Sequence, residues 1–228
     1  MPLKCYYDLV FCLDLSIPDI YEIKETIPKY VSAIMDYTSH SEYIDLSIRV
    51  KFICYFEKNY GTKIDESEWF AIRKLNNIHK EVNLFNLDKS GVSDEYFDFL
   101  QCVKNIRGVK WKSSVKSTIL ALIEAFKQDW VKTNFNNGRL RKRHIIFLFT
   151  NSKNEDITSC RQDIYKLGDI WDNWEDGGRP KRLLIFAPEG QPWVELNSAL
   201  ERIIYIPNSC QLTDGQKYEV IRAIVEPI

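Results

Sequence analysis

Asp14 and Ser16 have the types and the spacing of hard-cation ligands, a carboxylate and a hydroxyl two residues apart. They close the run YYDLVFCLDLSIPD at 6–19, so both would sit on the loop that leaves an apolar strand. In an open α/β sheet, ligands bind outside the carboxyl ends of such strands. Two more segments carry oxygen donors suited to the same place. WKSSVKS at 111–117 brings Ser113 and Ser114, and the end of HIIFLFT brings Thr150, Asn151 and Ser152. Asp14 is the one carboxylate of this set, and Lys112, Lys116 and Lys153 flank it with the charge of the metal itself. Mg²⁺ wants near-octahedral oxygen geometry and sheds water reluctantly, so a set poor in carboxylates holds it weakly. The alternative is a site without metal, in which Asp14 accepts backbone N–H groups at the start of the following helix. The donor types favour that alternative. A cofactor is not expected, and any Mg²⁺ affinity would be weak.

Enzymatic readings find little support. A nucleophilic strand-end aspartate generally needs an acid/base carboxylate two residues on, and Ser16 stands there. Neither GxxxxGK[ST] nor GxGxxG occurs. His40, His79 and His144 are dispersed, and His144 opens a buried strand, where a packing role is the ordinary one. Trp69, Phe70, Trp171, Trp174 and Trp193 have the spacings of core and helix-seating residues. The rival reading is a metal-assisted phosphoesterase using Asp14, Ser16 and Asn151. It requires a second carboxylate, Asp94 or Asp156, to converge on Asp14.

Two basic runs, RLRKRH at 139–144 and GGRPKR at 177–182, each precede a strand. If those strands are neighbours, Arg139, Arg141, Lys142, Arg143, Arg179, Lys181 and Arg182 form one patch at the opposite, amino-end edge. Solvated loop charge is the favoured reading, and a surface for an acidic partner the alternative. Neither run is interleaved with aromatics, which argues against nucleic acid.

The elements that must position these residues follow from period switches. Residues 7–14, 144–150 and 182–187 are near-continuous apolar runs, as in parallel strands covered on both faces. Residues 43–56 alternate, with Ile44, Leu46, Ile48, Val50, Phe52, Cys54 and Phe56 on one better-covered face. A turn at Asn59-Tyr60-Gly61 and a weaker strand within 69–86 follow. Helical spacing marks 20–37, 94–106, 115–131, 159–175, 193–201 and 214–226, with a last short strand at 202–206. Asn136-Asn137-Gly138 and Gly177-Gly178 end the third and fourth helices. Strands alternating with helices predict an α/β fold, a doubly wound and mostly parallel sheet with helices on both faces.

Composition sets the outer bounds. At 228 residues with no linker or repeat, a single domain over 1–228 is expected. The formal charge of −1 gives no global pull toward nucleic acid or membrane. No run reaches the ~18 apolar residues of a membrane span. Six scattered cysteines without a CxxC suit a reducing compartment, so a cytoplasmic location is expected.

With Asp14, Ser16, the 111–117 loop and Thr150-Asn151 in place, the chain resembles the von Willebrand factor A domain. FICYFEKNYG, SEWF, LIEAFKQDW before RHIIFLFTN, and RLLIFAPEGQPW extend the likeness over nearly the whole length. It is similar to the intracellular bacterial branch associated with stress and conflict systems, of the tellurite-resistance kind. The resemblance implies a Rossmann-like fold and a metal-ion-dependent adhesion site drawn from three loops, whose shell a partner's carboxylate completes. It also implies an adaptor that binds a protein partner, with a kinase or phosphatase of the same operon as the expected company. Asp14 and Ser16 match the family's first two ligands, and Ser113 or Ser114 would stand for the third. Ile17-Pro18 replaces its Gly-Ser, and Asn151 its acidic residue, so the metal site is expected to be degenerate. Millimolar Mg²⁺ should therefore leave the melting temperature of the wild type unchanged. Pro18→Ser combined with Asn151→Asp should give a measurable shift, about 2.7 kcal/mol at a hundredfold excess over Kd. A wild-type shift that vanishes in Asp14→Ala would overturn this expectation.

Overall fold

The computed structural model describes residues 3–18, 20–39, 44–58, 61–73, 94–109, 118–131, 140–151, 161–174, 181–190, 193–207 and 213–225. Strand β1 (Leu3–Asp14) leads to helix α1 (Ile20–Ser39), then β2 (Ile44–Lys58), β3 (Gly61–Glu66) and β4 (Phe70–Arg73). Helices α2 (Asp94–Asn105) and α3 (Thr118–Phe126) precede β5 (Leu140–Phe149). Helix α4 (Arg161–Asp172), β6 (Lys181–Ala187), α5 (Trp193–Ala199), β7 (Ile203–Pro207) and α6 (Asp214–Val225) complete the order.

The seven strands form one sheet, β3-β2-β1-β5-β6-β7, with β4 also paired to β2. β3 and β4 are antiparallel to β2, and the other pairs are parallel. The protein is thus a mostly parallel α/β fold with helices on both faces. Its parallel strands, counted in chain order, lie 2-1-3-4-5, so the winding reverses between β1 and β5. Strands β1, β5 and β6 are interior, as their apolar runs require. On one face α1, α2 and α6 cover Tyr7, Leu9, Phe11 and Leu13 of β1; on the other α3, α4 and α5 cover Val10 and Cys12.

Several boundaries differ from the sequence reading. β5 begins at Leu140, so Arg141, Lys142 and Arg143 are strand residues opposite Cys5, Tyr6 and Tyr7 of β1, not a loop. Pairing with an existing strand overrides the weak strand preference of charged residues. Helix α3 stops at Phe126, where N–H groups of Lys127 and Gln128 turn back to the carbonyls three residues earlier. Trp130 stays buried because its indole N–H reaches the Ala125 carbonyl at 3.0 Å. On β2 the better-covered face buries Leu46, Ile48, Val50 and Phe52 as expected, and the second face adds Ile53 and Tyr55. The hairpin strand β3 was not foreseen. The turns expected around residues 136–138 and 177–178 lie outside the described residues.

Four polar side chains share one rank across the sheet: Arg49 on β2, Asp8 on β1, His144 on β5 and Lys181 on β6. Asp8 is 1% exposed and accepts from Arg49 Nε at 2.8 Å, Arg49 Nη2 at 2.7 Å and the Val131 N–H at 2.7 Å. His144 Nε2 lies 3.8 Å from Asp8 Oδ2. Tryptophans roof the rank. Arg49 lies 4.4 Å from the Trp69 ring centre, and Lys181 lies 4.8 Å from that of Trp171. His144 packs against Trp130 and Trp174 at 5.0 and 5.6 Å. Removing one member of a buried pair strands the other, so Asp8→Ala should lower stability by about 3 kcal/mol in urea unfolding. Asp8→Leu combined with Arg49→Met should recover part of that loss. Equal losses in the single and double variants would show that the charge pair is not the cause.

Candidate functional site

The carboxyl ends of β1 and β5 meet where the winding reverses, the position at which doubly wound sheets take their ligands. Asp14 ends β1 with Ser16 two residues on, and Thr150 and Asn151 follow β5, so four of the expected residues are brought together. Asp14 is 1% exposed. Its Oδ1 accepts from the Ser16 N–H at 2.9 Å and from Ser16 Oγ at 2.6 Å. Its Oδ2 accepts the Asn151 N–H at 3.2 Å. The carboxylate therefore ties the β1 loop to the β5 loop. The tight turn Asp14–Ile17, closed by an Ile17 N–H to Asp14 carbonyl bond of 3.2 Å, tucks Ile17 into the core and leaves Pro18 exposed. Packing thus anchors the loop at Ile17.

Beneath the loop runs a buried hydroxyl chain. Tyr55 on β2 donates to Thr118 Oγ1 at 3.2 Å, and Thr118 Oγ1 lies 3.3 Å from Thr150 Oγ1. Burial pushes the Tyr55 phenol well above its ordinary pKa, and the Asp14 charge pushes the same way, so it stays a donor. Thr118, the first residue of α3, is a site residue that sequence reasoning missed. Its signal was a hydroxyl heading the apolar stripe TILALIEAF. Ser113, Ser114, Ser152, Lys112, Lys116 and Lys153 lie outside the described residues.

As a dication site the described donors do not fit. They offer one carboxylate, both of whose oxygens already accept hydrogen bonds, and the four neutral hydroxyls of Ser16, Tyr55, Thr118 and Thr150. Among the described residues, no three His, Cys, Asp or Glu side chains cluster to hold a metal. Asp94 does not converge on Asp14. Helix α2 approaches the site with its other end, for the Val109 N–H bonds the Leu15 carbonyl at 2.8 Å, and Lys24 of α1 donates to the Lys104 and Ile106 carbonyls. Asp94 is thus a helix length away, about 18 Å. Asp156 lies outside the described residues. Burial raises the pKa of the Cys12 thiol and of the half-buried Cys54 thiol, the latter to about 12, so both stay protonated.

The basic residues fall at the opposite edge, on the neighbouring strands β5 and β6. Their setting is not a solvated loop. Lys142 and Lys181 are buried, and Arg143 and Arg182 are half-buried. Lys181 donates to the Trp171 carbonyl in the last turn of α4, where a cation complements the helix end. Burial lowers its pKa. Of Arg141 the backbone alone is described, and Arg139 and Arg179 lie outside the described residues.

No protein-family model matches the chain, and no curated protein matches it. Among solved structures it is similar to proximal thread matrix protein 1 of the mussel byssus, at 12% identity and a TM-score of 0.45. That match covers 98% of this chain and 48% of the mussel chain, so this chain spans about half its length. A second structure of the same protein gives 11% and 0.44, covering 98% and 47%. The N-terminal domain of TFIIH p34 gives 9% and 0.40, covering 98% of this chain and 97% of that one. These likenesses carry no function over.

Asp14→Ala should leave three donors without their acceptor, lowering stability by about 2–3 kcal/mol and speeding hydrogen exchange at the Asn151 amide. Thr118→Val should cost about 1 kcal/mol and leave Asn151 protected. Unchanged exchange at Asn151 in Asp14→Ala would break the proposed tie between the two loops.

Proposed function

We propose that this chain is a non-enzymatic interaction module that receives a protein partner on the carboxyl-end face of its sheet, around a degenerate metal site. One observation carries the reading. Among the described residues the exposed large hydrophobics are Tyr21 (76%), Leu120 (47%), Val194 (42%) and Tyr218 (64%). Tyr21, Leu120 and Val194 stand in the first turns of α1, α3 and α5, and Tyr218 in the second turn of α6. Helices α1 and α5 start directly after the carboxyl ends of β1 and β6. The Thr118 contact with Thr150 puts the head of α3 at the same end, and α6 follows β7. Two tyrosines lie on one side of the sheet and two aliphatic residues on the other, all in helices that start at the end of the sheet that holds the Asp14 loop. Exposed apolar groups gathered at one face mark interaction surfaces, and tyrosine is favoured in them.

The internal hydrogen bonding of Asp14 supports a face that is already formed without a dication. The partner then meets Ser16, Asn151 and the apolar rim. The resemblance to the bacterial von Willebrand A branch supports the narrower reading of a cytoplasmic adaptor in a stress or defence system, beside a kinase or phosphatase of its operon. Changing Tyr21, Leu120, Val194 and Tyr218 together to Ser should leave unfolding within about 1 kcal/mol of wild type, since exposed positions contribute little packing. It should abolish binding to a partner purified by affinity capture on the wild type, as measured by calorimetry. Undiminished binding would move the interface elsewhere and sink the proposal.

A further inference from the structure

The chain after α2 is clasped against the loop that leaves β1. The Val109 N–H bonds the Leu15 carbonyl at 2.8 Å, and Lys24 of α1 donates to the Lys104 and Ile106 carbonyls at 2.6 and 2.7 Å. A Cβ at Gly108 would lie 3.1 Å from Ile20 Cγ2 and 3.4 Å from the Leu15 carbonyl oxygen, so this close approach calls for glycine. Arg107 stands between these contacts. Its neighbours fix its backbone beside the Asp14–Ile17 turn, while the residue itself is exposed.

The Lys24 ammonium sits on the carbonyl of the residue before Arg107. Burial lowers the Lys24 pKa, and the Arg107 charge lowers it further. Of the ion pairs among the described residues, none involves Lys24, Lys104 or Arg107. Two cations are thus held together without a carboxylate between them, a repulsion that an incoming carboxylate relieves. Tyr21, 76% exposed, completes the patch, with Lys24 Nζ 5.3 Å from its ring centre. At about 100° per residue, Glu22 and Glu25 fall on the flank of Tyr21 away from Lys24. They repel a long polyanion such as a nucleic-acid strand, and Asp14 repels an anion from the centre of the face. What fits the flank between α1 and α2 is one acidic side chain next to an apolar one.

We propose that Arg107 is a specificity-determining residue of the interaction face, taking an aspartate or glutamate side chain of the protein partner, with Lys24 as a second donor and Tyr21 packing on the adjoining apolar residue. Arginine meets a carboxylate through two parallel hydrogen bonds, and Lys24 has one N–H left beyond the two it spends on α2. The proposal rests on the reading of that face as a protein-binding surface and adds what the surface selects.

The test pans a random peptide display library on the full-length wild type and measures the retained peptides by fluorescence anisotropy. They should carry Asp or Glu beside an apolar residue. Arg107→Gln should bind them about tenfold more weakly or worse, the loss of a charge-assisted hydrogen bond. Arg107→Lys should keep most of the affinity. Amide versions of the peptides should bind the wild type weakly and lose nothing further on Arg107→Gln. Arg107 is exposed and the clasp uses its neighbours, so Arg107→Gln should melt with the wild type. Apolar peptides that are lost in Tyr21→Ser but indifferent to Arg107→Gln would overturn this inference and leave the interaction face standing. Peptides indifferent to both changes, or none retained, would count against the face as well. Acidic peptides displaced by single-stranded oligothymidylate would give the patch to nucleic acid and overturn the proposal.

Discussion

A carboxylate taken out of water must be met by donors at fixed positions, and β1 buries two of them on the same face. Asp8 and Asp14 lie six residues apart, about 20 Å along the strand, with Val10 and Cys12 between them. Each fixes chain segments remote in sequence. Asp8 holds Arg49 of β2 and the backbone after α3; Asp14 holds its own loop and the residue after β5. The apolar core would pack against many arrangements of these loops. The two carboxylates accept few, because a buried charge without donors is far more costly than a modest loss of packing.

This explains which parts of the molecule the sequence disclosed. The apolar runs ending in Asp14 and Thr150 located the central strands and the loops at their ends, since burial on both faces leaves a local signature. Asp8 looked like a mere interruption of such a run, because its partner lies 41 residues away and is found through strand register. Thr118 escaped for a related reason, as the neighbouring serines were the more conspicuous hydroxyls. β3 carries GTKIDE, which has no apolar alternation, and exists as the return arm of a hairpin on β2. The Lys and Arg of β5 read as loop charge because local propensity cannot anticipate a partner strand.

The two ends of the sheet solve the burial problem differently. At the carboxyl end small hydroxyls and backbone amides surround one buried charge. Along the rank of Asp8, Arg49 meets that carboxylate and Lys181 meets the Trp171 carbonyl, each cation lying over an indole ring. The first arrangement keeps the Tyr55, Thr118 and Thr150 hydroxyls buried and leaves Ser16 half-buried above them. The second is closed over by side chains and serves the interior.

The rank of Arg49, Asp8, His144 and Lys181 has a consequence for how the chain finds its fold. Strands as uniformly apolar as HIIFLF and RLLIFA could slide past their neighbours by two residues and still present hydrocarbon to the same helices. Sequence pattern alone therefore specifies their alignment poorly. A charged or polar residue at one shared level turns the slip of β5 that would set Asp8 against Ile146, or the slip of β2 that would set Arg49 against Val10, into a mismatch. The rank acts as an alignment key, read once as the parallel strands come together, and its value lies in the misfolded sheets it makes unaffordable.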